Sequence, residues 1–385
     1  MTSRKIFLLV TSDMSAAAFY RGYLAYLRDR GWDVTLIGHS TGDLERIAAA
    51  EGVAAVAIPM RRDPAPIQDL ISLARVVALF LRSKPDVVVS ATPKASLLGM
   101  VAARLTRVPV RVYQMWGLRL ETETGLRRAI YRALERVTAV GATHIVANSE
   151  SLADAARAEG ISSDILVLGG GSATGIDLAH FAHDAPMPSV DTSTSQFLAH
   201  AAAPFTVGFV GRVNRDKGVE TLLEAARIAT DAGVPVQLLI VGSSESEDIE
   251  KLLENAGRDL PVRRVLAVTD PRPYFLAMDV NCLPTLREGF PNVVLEAAAL
   301  GIPTITTDAT GARDSVVDEV TGLIFPVHDS QALAALIIRC ATEPGLLERL
   351  REAGRLRVRD EFDQTIVWKA HEEFLAAAVE RRALR

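Results

Sequence analysis

Pro284-Thr-Leu-Arg-Glu288-Gly-Phe-Pro291-Asn-Val-Val-Leu-Glu296-Ala-Ala-Ala-Leu-Gly301-Ile-Pro303 reads as the end of a buried strand, a short loop and a helix. Asn281 to Leu283 close the strand. Pro291 stands where a first helical residue tolerates the loss of its N–H, and Gly301 followed by Pro303 stops the helix. A helix N-terminus offers unpaired amides and partial positive charge, which suits a phosphate. Glu288 lies in the loop before this helix and Glu296 just over one turn inside it. Two acids do not serve an anion. They serve hydroxyl groups at either end of one, as on a sugar–diphosphate–ribose ligand. A lone pair of glutamates is more often two solvated carboxylates, so the surroundings must decide.

The spacing Glu288-x7-Glu296, with Gly289-Phe290-Pro291 after the first acid and Gly301-Ile-Pro303 after the second, resembles the donor-site motif of the large retaining glycosyltransferase family 4. The resemblance implies a GT-B architecture, two doubly wound domains facing an interdomain cleft. It also implies that Glu296 holds ribose hydroxyls, that Glu288 holds the donor sugar, and that the backbone at Phe290–Asn292 contacts the diphosphate.

The remainder of the chain bears on that resemblance. At 385 residues it exceeds one ordinary core and suits two domains. Cys282 and Cys340 have no metal-ligand spacing, which excludes a disulfide scaffold and fits a reducing cytoplasm. The apolar run Ile6–Val10 is too short for a signal peptide or a membrane span. Residues 1–190 carry 21 Lys+Arg against 18 Asp+Glu, and the remainder 21 against 29. An acidic chain without interleaved basic and aromatic residues does not suggest nucleic acid. The basic first half leaves open contact with a membrane or an anionic acceptor.

In order, strands are expected at 4–10, 34–38, 55–58, 87–90, 110–113, 144–147 and 165–168. Helices are expected from Ser12 to about Arg30 and at 66–83, 95–106, 124–140 and 150–159. This alternation predicts a parallel, doubly wound α/β sheet. The proline-, serine- and alanine-rich stretch 183–204 reads as a linker between a domain at 1–182 and a second at 205–363. The second series has strands near 205–210, 236–241, 263–267, 279–283, 303–306 and 322–325, with helices near 218–231, 247–256, 271–277, 291–300, 312–317 and 330–340. Residues 364–385 are helical, and the resemblance implies that this helix crosses back to the first domain.

Four further features carry chemistry or its absence. Phe209-Val-Gly211-Arg212-Val-Asn-Arg-Asp-Lys217-Gly218 follows a strand and opens a helix, so Gly211 permits a tight turn and Arg212 and Lys217 can converge on phosphate oxygens. No Asp-x-Asp occurs, so no metal and no cofactor are expected, the two cations standing in for the ion. Leu168-Gly-Gly-Gly171-Ser-Ala-Thr-Gly175-Ile-Asp177 resembles a Gly-Ser-x-x-Gly-x-Asp signature of family members building lipid-linked or capsular saccharides, and reads equally as a domain-boundary turn. Finally, helix 124–137 places Leu126, Ala129, Ile130, Ala133, Leu134 and Val137 on one face and Arg127, Arg128, Arg132 and Arg136 on the other. It reads as an ordinary amphipathic helix or, with eight Arg against three Glu over 104–136, as an anionic-lipid contact through the arginines.

The expected function is retaining transfer of a hexose or N-acetylhexosamine from a UDP-sugar to a lipid-linked or cell-envelope saccharide, in the cytoplasm or at the inner membrane face. The catalytic set is Arg212, Lys217 and Glu288; the donor-binding set is Gly211, Arg212, Lys217, Glu288, Gly289, Phe290, Pro291, Asn292 and Glu296. The alternatives are a GT-B nucleotide-sugar epimerase and a non-catalytic nucleotide-sugar-binding subunit.

Overall fold

The computed structural model describes residues 4–61, 63–182, 185–199, 204–244 and 246–383. The chain divides into two compact units: residues up to Thr174 together with those from Thr365, and Gly175–Gln364 between them.

The first unit is a parallel sheet of β1 (Arg4–Ser12), β2 (Trp32–His39), β3 (Ala54–Ala57), β4 (Val87–Ser90), β5 (Val110–Met115), β6 (His144–Ala147) and β7 (Leu166–Val167), in the order β3-β2-β1-β4-β5-β6-β7. The second is a parallel sheet of β8 (Phe205–Val210), β9 (Val236–Val241), β10 (Val262–Val265), β11 (Val280–Leu283), β12 (Thr304–Thr307) and β13 (Gly322–Phe325), in the order β10-β9-β8-β11-β12-β13. Helices cover both faces of such sheets, so the strands are continuous apolar runs: Ile6–Val10 and Val236–Val241 are buried throughout. In each sheet the strand order reverses beside the first strand, at β1/β4 and at β8/β11. Ligands of open α/β sheets bind at the carboxyl ends of such strands.

The structure differs from the sequence reading in several places. The helix expected from Ser12 to Arg30 is two, Asp13–Phe19 and Tyr23–Asp29, broken at Gly22. Gly22 has φ +77°, and a Cβ there would lie 2.7 Å from the Trp368 ring of the Gln364–Ala383 helix. That helix sinks Trp368, Leu375 and Ala378 into the same core as Tyr23 and Leu24. The unit boundary falls at Thr174/Gly175, ahead of the expected linker. Part of that stretch, 183–184 and 200–203, lies outside the described residues. Its middle forms a helix, Thr192–Leu198, capped by Asp191 and held by Arg263, which donates to Asp191 at 2.8 Å and to Thr194 at 3.0 Å. The Leu346–Glu361 helix was not expected, because only Leu346, Leu350, Gly354 and Val358 of its strongly charged sequence are buried.

The Gly125–Gly141 helix is inverted relative to expectation. Leu126, Ile130, Leu134 and Val137 are exposed. Arg128 and Arg132 instead turn toward Glu159, and Arg136 donates to the carbonyls of Glu159 and Gly160. On the inner face, Glu135 is buried and accepts from the Tyr113 hydroxyl at 2.6 Å. Gly141 lies so close to Met100 that a Cβ would meet it at 2.9 Å. The arginines have fixed acceptors beneath the helix, and the apolar stripe has none of the sheet to cover.

Candidate functional site

The site grows from the ends of β8 and β11 in the second unit. After β8, Gly211 takes φ +147°. The turn after β9 rests on it: a Cβ on Gly242 would fall 1.8 Å from the Gly211 carbonyl oxygen. A 3-10 turn, Arg215–Lys217, follows, its first amides ordered by the Asn214 side chain, which accepts from the Lys217 N–H at 3.2 Å. Gly218 then enters the Val219–Asp231 helix with φ +66°. A side chain there would strike the Pro284 carbonyl at 1.9 Å, so the loops after β8 and β11 are in backbone contact.

Further bonds set their register. The Asp216 carbonyl accepts from Leu286 N–H at 2.8 Å and from the Thr285 hydroxyl at 3.1 Å. The Arg287 guanidinium pairs with the Asp216 carboxylate at 2.7 Å. These contacts bring the Lys217 ammonium onto the Glu288 carboxylate, both groups more than four-fifths buried. The loop after β12 closes the arrangement: Glu288 N–H donates to the Thr310 carbonyl at 2.8 Å, and a Cβ on Gly311 would meet the Glu288 carbonyl at 2.5 Å.

The Asn292–Ala299 helix stands behind this pair. Pro291 is its N-cap, extended at ψ 106°, rather than its first residue. Pro291 supplies no capping oxygen, and Gly218 supplies none to the Val219–Asp231 helix. One helix start without a side-chain cap thus follows Lys217 directly and another follows the Glu288 loop, and such starts favour an anion. The Phe290 ring is committed to the core against Phe362, 5.2 Å between centroids. Of Phe290 only the backbone is left for a ligand. Glu296 is half-buried, and the surrounding protein pushes its carboxyl up to about 7. Such a group gains from any hydroxyl donors brought to it.

Of the predicted residues, the structure brings Lys217 and Glu288 into direct contact. Exposed Arg212 stands in the loop that carries Lys217; Gly289, Phe290 and Pro291 are buried in the Glu288 loop, with Asn292 half-buried at the helix start. Sequence reasoning missed the Asp216–Arg287 pair. Its signal was present: each residue adjoins one member of the Lys217–Glu288 pair, with charges reversed.

The motifs of the first half fare differently. Gly175 packs against the Phe362 carbonyl, where a Cβ would come within 2.7 Å, and the Asp177 carboxylate accepts from the Ala179 and His180 amides at 3.1 Å each. Both therefore have structural work in the turn. Gln114 is buried, with its amide nitrogen 3.2 Å from His371 Nδ1. Burial pushes the His371 imidazole down to about 4. Asp13, at the carboxyl end of β1, accepts from the Met14 and Thr41 amides and the Thr41 hydroxyl. Burial opposes its ionisation, but these bonds outweigh it and hold the carboxyl below its usual range.

Residues 191–357 match the family described as Glycosyl transferases group 1, and residues 16–171 match the Glycosyl transferase 4-like domain. The chain is 36% identical over 379 residues to the capsular polysaccharide biosynthesis glycosyltransferase CapM of Staphylococcus aureus, covering 96% of each chain. It is 25% identical over 323 residues to the UDP-Gal:alpha-D-GlcNAc-diphosphoundecaprenol alpha-1,3-galactosyltransferase of Escherichia coli, covering 81% of each. Among solved structures, Anabaena HepE in complex with UDP and glucose superposes with a TM-score of 0.77 at 19% identity, over 97% of this chain and 100% of that one. With its two parallel α/β sheets, its switch-point loops and these matches along nearly its whole length, the chain belongs to the group 1 glycosyltransferases of GT-B fold.

Proposed function

We propose that the protein transfers a hexose or N-acetylhexosamine from a UDP-sugar to a lipid-linked or cell-envelope saccharide with retention at the anomeric carbon, without a metal ion. The observation that carries this reading is the buried Lys217–Glu288 ion pair set beside two helix starts without side-chain caps. On donor binding, Lys217 turns from Glu288 to the diphosphate, joined by Arg212 and the amides around Asn292. Glu288 is then released to the sugar hydroxyls, and Glu296 takes the ribose diol. The cations stabilise charge most as it develops on the leaving diphosphate. The acceptor class rests on CapM and the Escherichia coli transferase, whose names specify capsular polysaccharide and diphosphoundecaprenol-linked saccharide.

Retention follows from where a proton can go. Inversion needs a base opposite the leaving group. In the first unit Asp13 is committed to Thr41 and Met14, and His371 is buried against Gln114 with depressed basicity. A phosphate oxygen held on the same face as the incoming hydroxyl takes its proton instead. Purified enzyme given an α-linked UDP-sugar and a lipid-linked saccharide acceptor is expected to yield an α-linked product, read by NMR from the small anomeric coupling of a gluco or galacto sugar. A β-linked product overturns the mechanism. Epimerised donor in the absence of acceptor would favour an epimerase.

A further inference from the structure

On the reading above, donor binding opens the Lys217–Glu288 pair. A second ion pair of reversed sign lies beside it. The residues immediately before Lys217 and Glu288 are Asp216 and Arg287, and these two meet each other at 2.7 Å. Each loop thus carries two adjacent opposite charges, and each charge finds its partner in the other loop. The pairs differ in burial. The Lys217 and Glu288 side chains are 17% and 14% exposed, those of Arg287 and Asp216 27% and 39%. A pair exposed to that extent adds little to folding stability, so its use lies elsewhere. Asp216 belongs to the three-residue 3-10 turn that ends at Lys217. The buried Thr285 hydroxyl lies 3.1 Å from the Asp216 carbonyl and 3.1 Å from that of Arg287, so one side chain ties the backbones of both partners. The Thr307 hydroxyl donates to the Thr285 carbonyl at 2.6 Å and anchors the tie on β12. In a turn this short the directions of successive side chains are coupled. A guanidinium that holds Asp216 outward therefore also fixes where Lys217 points.

We propose that Asp216 and Arg287 are positioning residues for the donor: their ion pair stays closed while the Lys217–Glu288 pair opens, and it holds the Lys217 ammonium on the diphosphate. This rests on the donor reading above and adds to it two residues that touch no donor atom. Once Lys217 leaves Glu288, the Asp216–Arg287 contact is the charged link that keeps the two loops in register. A field effect alone would act with opposite signs on the two residues. Loss of the Asp216 carboxylate would remove a repulsion and tighten diphosphate binding, whereas loss of the Arg287 guanidinium would weaken it. Positioning requires that both losses weaken it.

The test is calorimetric titration of the full chain with UDP and with uridine at about 0.1 M salt. Asp216→Asn and Arg287→Gln are each expected to weaken UDP binding roughly fivefold and to leave uridine within about twofold of the wild type, because the nucleoside has no phosphates for Lys217 to meet. Uridine binding also shows that the variants are folded. The two substitutions together are expected to cost about as much as either alone, and neither is expected to weaken UDP further in a Lys217→Ala protein. Tighter UDP binding by Asp216→Asn overturns the proposal in favour of a field effect. Equal weakening of UDP and uridine overturns it as well, as do losses that persist in full in the Lys217→Ala protein. If Lys217→Ala binds UDP weakly while Asp216→Asn and Arg287→Gln bind it as the wild type does, this proposal alone falls. If the wild type does not bind UDP, or Lys217→Ala binds it equally well, the donor reading falls and takes this proposal with it.

Discussion

The two sheets share the strand order that places a switch point beside their first strand, yet their carboxyl ends are finished in opposite ways. At the β8/β11 end, glycines bring three loops into backbone contact, and the charges they carry, Lys217 and Glu288, are paired with one another across the loops. At the β1 end, Asp13 accepts from two amides and the Thr41 hydroxyl, the Gln114 amide nitrogen lies 3.2 Å from His371 Nδ1, and the Trp116 ring packs 4.2 Å from the tilted ring of Phe19. The first unit instead keeps an unusual charge deep in the protein, Glu135 beneath the inverted helix. A common topology thus supplies a place for a ligand, and side chains decide whether that place is kept chemically available. Charges in the second unit should govern turnover, and the buried charge of the first should govern stability.

The strongest break of this contrast is removal of the cations. Arg212→Ala and Lys217→Ala should each lower kcat/KM by roughly 10²-fold, as for loss of a charged transition-state contact. Losses below about threefold in both would mean that the loops do not clamp the diphosphate.

Next come the two acids. Glu296→Gln should weaken UDP binding by about tenfold, whereas Glu288→Gln should spare UDP and impair the sugar donor; calorimetric titration separates them, and the reverse pattern exchanges their roles. Hydroxyl donors favour the ionised form of Glu296, whose carboxyl sits at about 7 in the free protein. Affinity for UDP-glucose should therefore fall as pH drops below 7, and the Gln variant should flatten that slope. A wild-type affinity independent of pH would remove Glu296 from the ribose.

The first unit answers to a different measurement. Burial raises the Glu135 carboxyl to about 7, the Tyr113 hydrogen bond offsetting part of this. A raised acid favours the folded state while protonated; that stability is fully present below its unfolded value and is lost as pH rises through 7. Glu135→Gln should therefore stabilise the protein at pH 8, on the order of 1 kcal/mol, and make no difference near pH 4. Donor binding should not change. An equal midpoint for the two proteins at pH 8 would show that Glu135 is solvated, and a loss of donor binding would dissolve the contrast between the units.

The smallest effect expected is none. On the proposed reading, Arg212, Lys217 and two helix starts take the role of a divalent ion, so excess EDTA should leave turnover unchanged. Loss on chelation, restored by Mg²⁺ or Mn²⁺, would show that the second unit does not finish its own site.

Much of this was legible in sequence. Two alternating series of apolar runs and helical patterns required two parallel sheets, and nearly every strand lies within a few residues of its expected place, since a strand buried on both faces can hardly be anything but a short apolar run. The Glu288–Pro303 stretch also announced its loop, its helix and its family, because proline and glycine act locally. Composition and periodicity likewise told which residues of the Gly125–Gly141 helix share a face. They did not tell which face turns inward. Glu159, 31 residues beyond Arg128, decided that by offering the arginines a fixed acceptor. The meeting of Lys217 with Glu288, 71 residues apart, depended in the same way on Gly218 lying against Pro284 and on Asp216 finding Arg287. Local chemistry determines what an element is. Which of its sides is buried, and which charge it finds there, depends on residues distant in the chain, and only the tertiary structure supplies them.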